Sequence, residues 1–135
     1  MLTGLRAGTR AVAAVALACA AVLAPGATAP AHAADSAPCT PYPGYPGQYK
    51  CPMWGTDVNF RTEPRADAPV AATSPDSGFI RAVCQVRGGR ATYGPYWHTW
   101  WIKTPATGMV PPLYMSEIFL TGGGNDEPDT GLPVC

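Results

Sequence analysis

Four cysteines, in a chain with no amphipathic run of helical length, most constrain what this sequence can fold into. Beyond residue 33 they are Cys39, Cys51, Cys84 and Cys135. An even number in an exported chain implies two disulfides, for which three connectivities exist. The spacing favours Cys39–Cys51, closing a short local loop, and Cys84–Cys135, tying a central strand to the C-terminus. On the chain-entropy model such loops contribute roughly 3 and 4 kcal/mol. That is a large share of the total of about 5–15 kcal/mol expected for a small domain. Zinc is the rival use of four cysteines. It is disfavoured, because no short Cys pair occurs and His98 stands alone.

The cysteines read as oxidised because of what precedes them. Arg6 and Arg10 lead into an uncharged apolar run over residues 11–25, and Ala31-His32-Ala33 supplies a small-x-small cleavage site. This is the pattern of a secretory signal peptide over residues 1–33. The run is shorter than the roughly 20 apolar residues needed to span a bilayer, and no basic stop follows. Cys19 lacks a lipoprotein context, since Ala16 stands where leucine is wanted and apolar residues continue past it. A secreted chain of 102 residues out of 135 is expected, one domain and a monomer. Without Arg6 and Arg10, seven basic residues face nine acidic ones, a net charge near −2. No basic stripe is visible, so neither nucleic acid nor, after leader removal, an anionic membrane is an expected partner.

Residues 34–55 form a Pro/Tyr-rich disulfide loop, in which Pro41, Pro43 and Pro46 alternate with Tyr42, Tyr45 and Tyr49. Proline removes backbone donors, so neither helix nor inner strand is expected there. The tyrosines are expected to fold back over the tryptophan strand. Val58 and Phe60 alternate with Asn59 and Arg61, the pattern of a half-buried strand. A polar loop, a short strand over 70–73, and a strand over 79–86 ended by Gly88 and Gly89 follow. Ile80, Ala82, Cys84 and Val86 share one face of that strand, which suits a disulfide lying inside.

Trp97-His98-Thr99-Trp100-Trp101-Ile102-Lys103-Thr104 is the strongest strand signal, being aromatic and β-branched. Trp101 and Lys103 share one face, Trp100, Ile102 and Thr104 the other. Each face thus carries a tryptophan, and only one can anchor a small core. After one helical or 3₁₀ turn within 113–118 and a short strand at Phe119-Leu120, residues 122–135 read as a mobile acidic tail tied back by Cys135. Its Asn125, Asp126, Glu127 and Asp129 lack EF-hand order, so a solvated loop is expected and no metal.

Short strands with turn signals suggest a small barrel or sandwich. Val58-Asn59-Phe60-Arg61-Thr62-Glu63-Pro64 with Ala68-Pro69-Val70 resembles the opening of bacterial SH3-like domains. Trp101-Ile102-Lys103-Thr104 and Gly108-Met109-Val110-Pro111-Pro112-Leu113-Tyr114 are similar to that family's W-x-K-V strand and its closing segment. The resemblance covers about residues 56–121. It implies an all-β fold, a small SH3-like, partly open β-barrel of about five short strands, stapled by disulfides. The cysteine-bearing exported architecture is similar to short secreted SH3-like proteins of actinobacteria. Departures are Phe60 for an aliphatic residue, Met109 for tryptophan, the edge-like Pro111-Pro112, and a longer connection over 87–99.

No catalytic constellation is visible, and no cofactor is expected. His98 is read as a solvent-facing strand residue, no serine has a nucleophile-elbow context, and the Glu63/Glu117 carboxylates are only formally a pair. Arg61 is expected to brace its loop by pairing with Asp67 or Glu63. Tryptophan at a surface offers a flat apolar face for sugar rings or prolines. The candidate ligand contacts are therefore Trp97 and Trp100, with Tyr93, Tyr96 and Tyr114 nearby. The resemblance implies a non-catalytic, secreted or wall-associated module recognising peptidoglycan or a peptide. The alternative is a structural or interaction factor, an inhibitor for example, acting on another exported protein.

Overall fold

The computed structural model describes residues 38–74 and 76–135. The leader expected over residues 1–33, with Cys19, lies outside the described residues. The strands are β1 (Thr40–Pro41), β2 (Tyr49–Met53), β3 (Val58–Arg61), β4 (Val70–Ser74), β5 (Gly78–Ala82), β6 (Cys84–Tyr93), β7 (Tyr96–Lys103) and β8 (Tyr114–Ser116). A 3₁₀ turn, Glu117–Phe119, follows β8, and the Ser116 hydroxyl accepts from the Ile118 amide to cap it. Antiparallel pairing builds a three-stranded sheet, order β1-β2-β5, and a five-stranded sheet, order β4-β3-β8-β7-β6. The described residues are all-β apart from the 3₁₀ turn, and their sheets do not close into a barrel.

Alternation explains the core. Cys51 and Met53 of β2, Ala82 of β5, Val58 and Phe60 of β3, Ile102 of β7 and Met115 of β8 are buried together between the sheets. Trp101, next to Ile102, points to the opposite face and forms a second core with Ala91 and Ile118. Its indole Nε1 donates to the Gly89 carbonyl at 2.8 Å. Strand β7 is thus buried on both faces, and the 3₁₀ turn supplies the layer that Trp101 needs.

Both expected disulfides are present, Cys39–Cys51 and Cys84–Cys135, with sequence separations of 12 and 51. Their placement reverses the expectation. Cys39 and Cys51 sit in the core, whereas Cys84 is half-buried and Cys135 exposed. The residue buried on that stretch is Gln85, because the chain leaves one sheet for the other at Val83. The single strand expected over 79–86 is therefore two, β5 and β6. Gly88 and Gly89 do not end β6. They lie in a bulge between Arg87 and Ala91, where Gly89 donates to the Pro64 carbonyl at 2.8 Å.

Two further expectations change. The Pro/Tyr stretch holds β1 and β2, and β2 is a central strand despite Pro52. Strand β1 stops opposite Tyr49 and Lys50, so no ladder bond to β1 is needed at Pro52. Tyr42 stacks on Tyr45 at 4.7 Å and meets Phe79 at 5.7 Å, covering the three-stranded sheet rather than the tryptophans. The acidic tail, expected to be mobile, is bonded along its length. Gln85 Nε2 donates to the Asp129 and Leu132 carbonyls, both at 2.7 Å, and Gln85 Oε1 accepts from the Asp129 amide at 2.9 Å. Asn125 Oδ1 and Asp126 Oδ1 accept from the Trp97 and Thr99 amides at 3.0 and 2.8 Å. These amides belong to the part of β7 that β8, paired only with Trp101 to Lys103, is too short to reach.

Candidate functional site

The five aromatic candidates do not converge. Trp97 and Trp100 project from opposite faces of β7. Arg90 lies over the Trp97 ring at 4.2 Å, and Arg87 over the Trp100 ring at 4.8 Å. Trp100 is 9% exposed, buried rather than presented. Tyr114 is half-buried against the second core. Tyr93 and Tyr96 instead meet Trp54, at 5.8 and 6.1 Å between ring centroids, and Tyr93 meets Phe119 at 5.4 Å. Trp54 is anchored by its Nε1 donating to the Ile118 carbonyl at 2.9 Å. Sequence reasoning passed over Trp54 and Phe119. The available signal was a lone tryptophan beside Gly55, three residues past a disulfide cysteine.

A groove of ≈ 300 Å³ opens beside this aromatic group. Its buried lining includes Trp101, Ser116 and Ile118, while Asp57, Asn59, Arg90 and Tyr93 form the exposed rim. The rim residues come from β3 with its approach and from β6, which are separated in the sheet by β8 and β7. Of the five candidates, only Tyr93 lines this groove. Arg61 also lines it, and its Nη1 donates to the Ala68 carbonyl at 2.7 Å. It braces the 62–69 loop as expected, but through a carbonyl. The carboxylates Glu63 and Asp67 pair with Arg65 instead, at 3.0 and 2.9 Å, and Arg65 lowers the Glu63 pKa.

On the other side of the 3₁₀ turn lies a cleft of ≈ 210 Å³, lined by His98, Glu117, Leu120, Glu127 and Asp129 among others. His98 is not solvent-facing: it is 4% exposed, with Nε2 3.2 Å from the Gly124 carbonyl oxygen. Its parity with Trp100 and Ile102 was the sequence signal for burial. Glu117 is equally buried, and its Oε2 accepts from the Asp129 amide at 3.2 Å. Burial pushes its carboxyl up to about 8; the Asp129 amide offsets part of this and the Asp129 charge adds to it. Glu117 Oε1 has no hydrogen-bond partner among the described residues. Glu63, the other member of the formal carboxylate pair, lines neither cavity.

Chemically, the groove can stack and hydrogen-bond, and the cleft can accept donors. Compared with protein-family models, curated proteins and solved structures, the chain matches none.

Proposed function

We propose that this chain is an exported, non-catalytic, SH3-like binding module, and that its ligand is a peptidoglycan fragment or an extended peptide of the cell wall. The observation that carries this reading is the groove beside Trp54, Tyr93, Tyr96 and Phe119. Pre-packed aromatic rings at the edge of a cavity lose little freedom when a sugar ring or proline stacks on them. Arg90 and Asp57 at the rim offer a donor array and an acceptor for amide and carboxylate groups. The two disulfides suit an oxidising, extracellular setting. A single groove of this size supports micromolar or weaker binding.

Sedimentation of the oxidised chain with insoluble purified peptidoglycan tests the reading. Saturable co-sedimentation is expected, weakened several-fold by Tyr93→Ala and unchanged by Tyr45→Ala on the other sheet. Wild-type protein left in the supernatant at high wall excess overturns it. The second reading, an interaction factor for another exported protein, is favoured by one feature: exposed Tyr45 and Phe79 with Lys50 and Arg81 stacked over them. Binding to an exported protein that is lost in Tyr45→Ala but kept in Tyr93→Ala would select it.

A further inference from the structure

The cleft beside the 3₁₀ turn is separate from the groove: Glu117 lines the cleft, whereas Ile118 and Phe119 line the groove. Among the described residues its lining carries Glu117, Glu127 and Asp129 and neither lysine nor arginine. Two of these carboxylates have internal work. Asp129 accepts from the Cys39 and Gly131 amides, and Glu127 Oε2 from the Gly124 amide. Glu117 differs, because its Oε1 is buried with no hydrogen-bond partner among the described residues and the residue is 4% exposed. Once ionised, such an oxygen at the side of a cavity is an acceptor that calls for a donor.

The kind of donor follows from the surroundings. Among the described residues no three ligating side chains are grouped to hold a metal ion. A calcium ion would need six or more oxygens at about 2.3–2.6 Å. An ammonium head has three donors on a compact positive charge, and its alkyl stem suits an apolar wall such as Leu120. A cavity of ≈ 210 Å³ admits such a head and stem but not a folded partner. We propose that this cleft binds a primary alkylammonium group, of the kind carried by a lysine side chain or a peptide N-terminus, with Glu117 as its buried counter-ion.

Binding is then linked to a proton. The Glu117 carboxyl, raised to about 8, is largely protonated at neutral pH, so an entering ammonium displaces one proton from it to solvent. The groups facing Glu117 are His98 from β7 and Glu127 and Asp129 from the tail. The two carboxylates favour the cation, and a protonated His98 opposes it. A lysine-type ammonium stays charged to about pH 10. Its affinity should therefore rise about tenfold between pH 7 and pH 9, as the ionised fraction of Glu117 rises.

The test is calorimetric titration of the oxidised chain with Nα-acetyl-lysine amide, Nε-acetyl-lysine amide and the doubly acetylated control. Saturable binding of either free amine with release of a proton, lost in Glu117→Gln, is the expected result. The two singly acetylated probes, compared at pH 7, tell a side-chain ammonium from an N-terminal one. Should Glu117→Gln fail to fold, the carboxyl ¹³C shift of wild-type Glu117 replaces it: the titration midpoint must fall when probe saturates. Equal binding of the doubly acetylated control overturns the proposal. So does an unmoved midpoint, or proton release caused by calcium and not by either amine. Failure here leaves the wall-binding reading standing, since that reading rests on the groove and is tested separately by sedimentation of Tyr93→Ala.

Discussion

Burial holds the Glu117 carboxyl protonated near neutral pH, whereas in an unfolded chain its value returns to 4.5. Between those values the folded state binds the extra proton, so stability falls as pH rises from about 4.5 to about 8. The full cost is present above about 8 and absent below the unfolded value. Glu117→Gln keeps the shape and cannot ionise. It should flatten this decline and leave the variant more stable than wild type at pH 8.5 by roughly 3–5 kcal/mol, with little difference at pH 4. Urea unfolding at the two pH values measures it. Gln85 carries the opposite lesson, because its buried amide is fully used by the tail. Gln85→Ala removes three bonds to the tail and leaves the Asp129 and Leu132 carbonyls without this donor, while the Asp129 amide keeps Glu117 Oε2. A loss of about 2–4 kcal/mol is therefore expected from denaturant midpoints. Neither residue was legible as important. A glutamine beside a cysteine and a glutamate after a serine have no signal of their own; burial gives them their roles.

Strands β3 and β7 were legible because β3 alternates buried and exposed positions and β7 is strongly aromatic and β-branched. Strand β4, with no buried position, was marked only by its bounding polar loop and turn. A turn was expected within 113–118 and a strand at Phe119-Leu120; instead 114–116 is β8, the 3₁₀ turn is Glu117–Phe119, and Leu120 makes only an isolated bridge to Met53. Strand β6 was not, because Gly88 and Gly89 read as a terminator while the structure uses them in a bulge. A Cβ on Gly88 would stand 2.0 Å from the Pro64 carbonyl oxygen, so glycine is required by close approach. Gly88→Ala should therefore push the 62–69 loop off β6, costing about 2–3 kcal/mol and disturbing the groove. Loss of Tm together with weaker wall sedimentation would show it. Along the part of β7 that β8 does not reach, Asp126 replaces a missing strand partner. Desolvation alone would raise its pKa, but the Thr99 hydroxyl and amide, with Arg87 and His98, outweigh that and hold it below its ordinary value. Its contribution is thus present above the ordinary carboxylate range and is lost as pH falls through the lowered folded value. Asp126→Ala should speed hydrogen exchange at the Trp97 and Thr99 amides selectively.

Two sheets share one core here, and the disulfides serve it unequally. Loop length alone ranks Cys84–Cys135 as the more stabilising, at about 4 kcal/mol against about 3. The structure reverses that order for serine replacements. Cys39→Ser/Cys51→Ser places two hydroxyls in the apolar core, each adding about 1–3 kcal/mol if unpaired. Cys84→Ser/Cys135→Ser exposes them to water near the surface, where Gln85 still holds the tail. Thermal unfolding of the two double variants should show the first to be the less stable, or unfolded. The resulting molecule keeps a second, smaller core under Trp101, and the two cavities lie on either side of the 3₁₀ turn that seals it.

Composition and local pattern alone determined that the chain is all-β, that it is joined by two disulfides, and that its tryptophan strand carries a tryptophan on each face. These are properties of periodicity, of proline and glycine content, and of cysteine number, all carried by neighbours along the chain. Tertiary structure alone decided that Trp54 joins Tyr93 and Tyr96, that the tail replaces a strand along β7, and that Glu117 loses its water beside His98. Each of these depends on residues far apart in sequence meeting in space. Desolvation and close approach, unlike periodicity, leave no trace in local order.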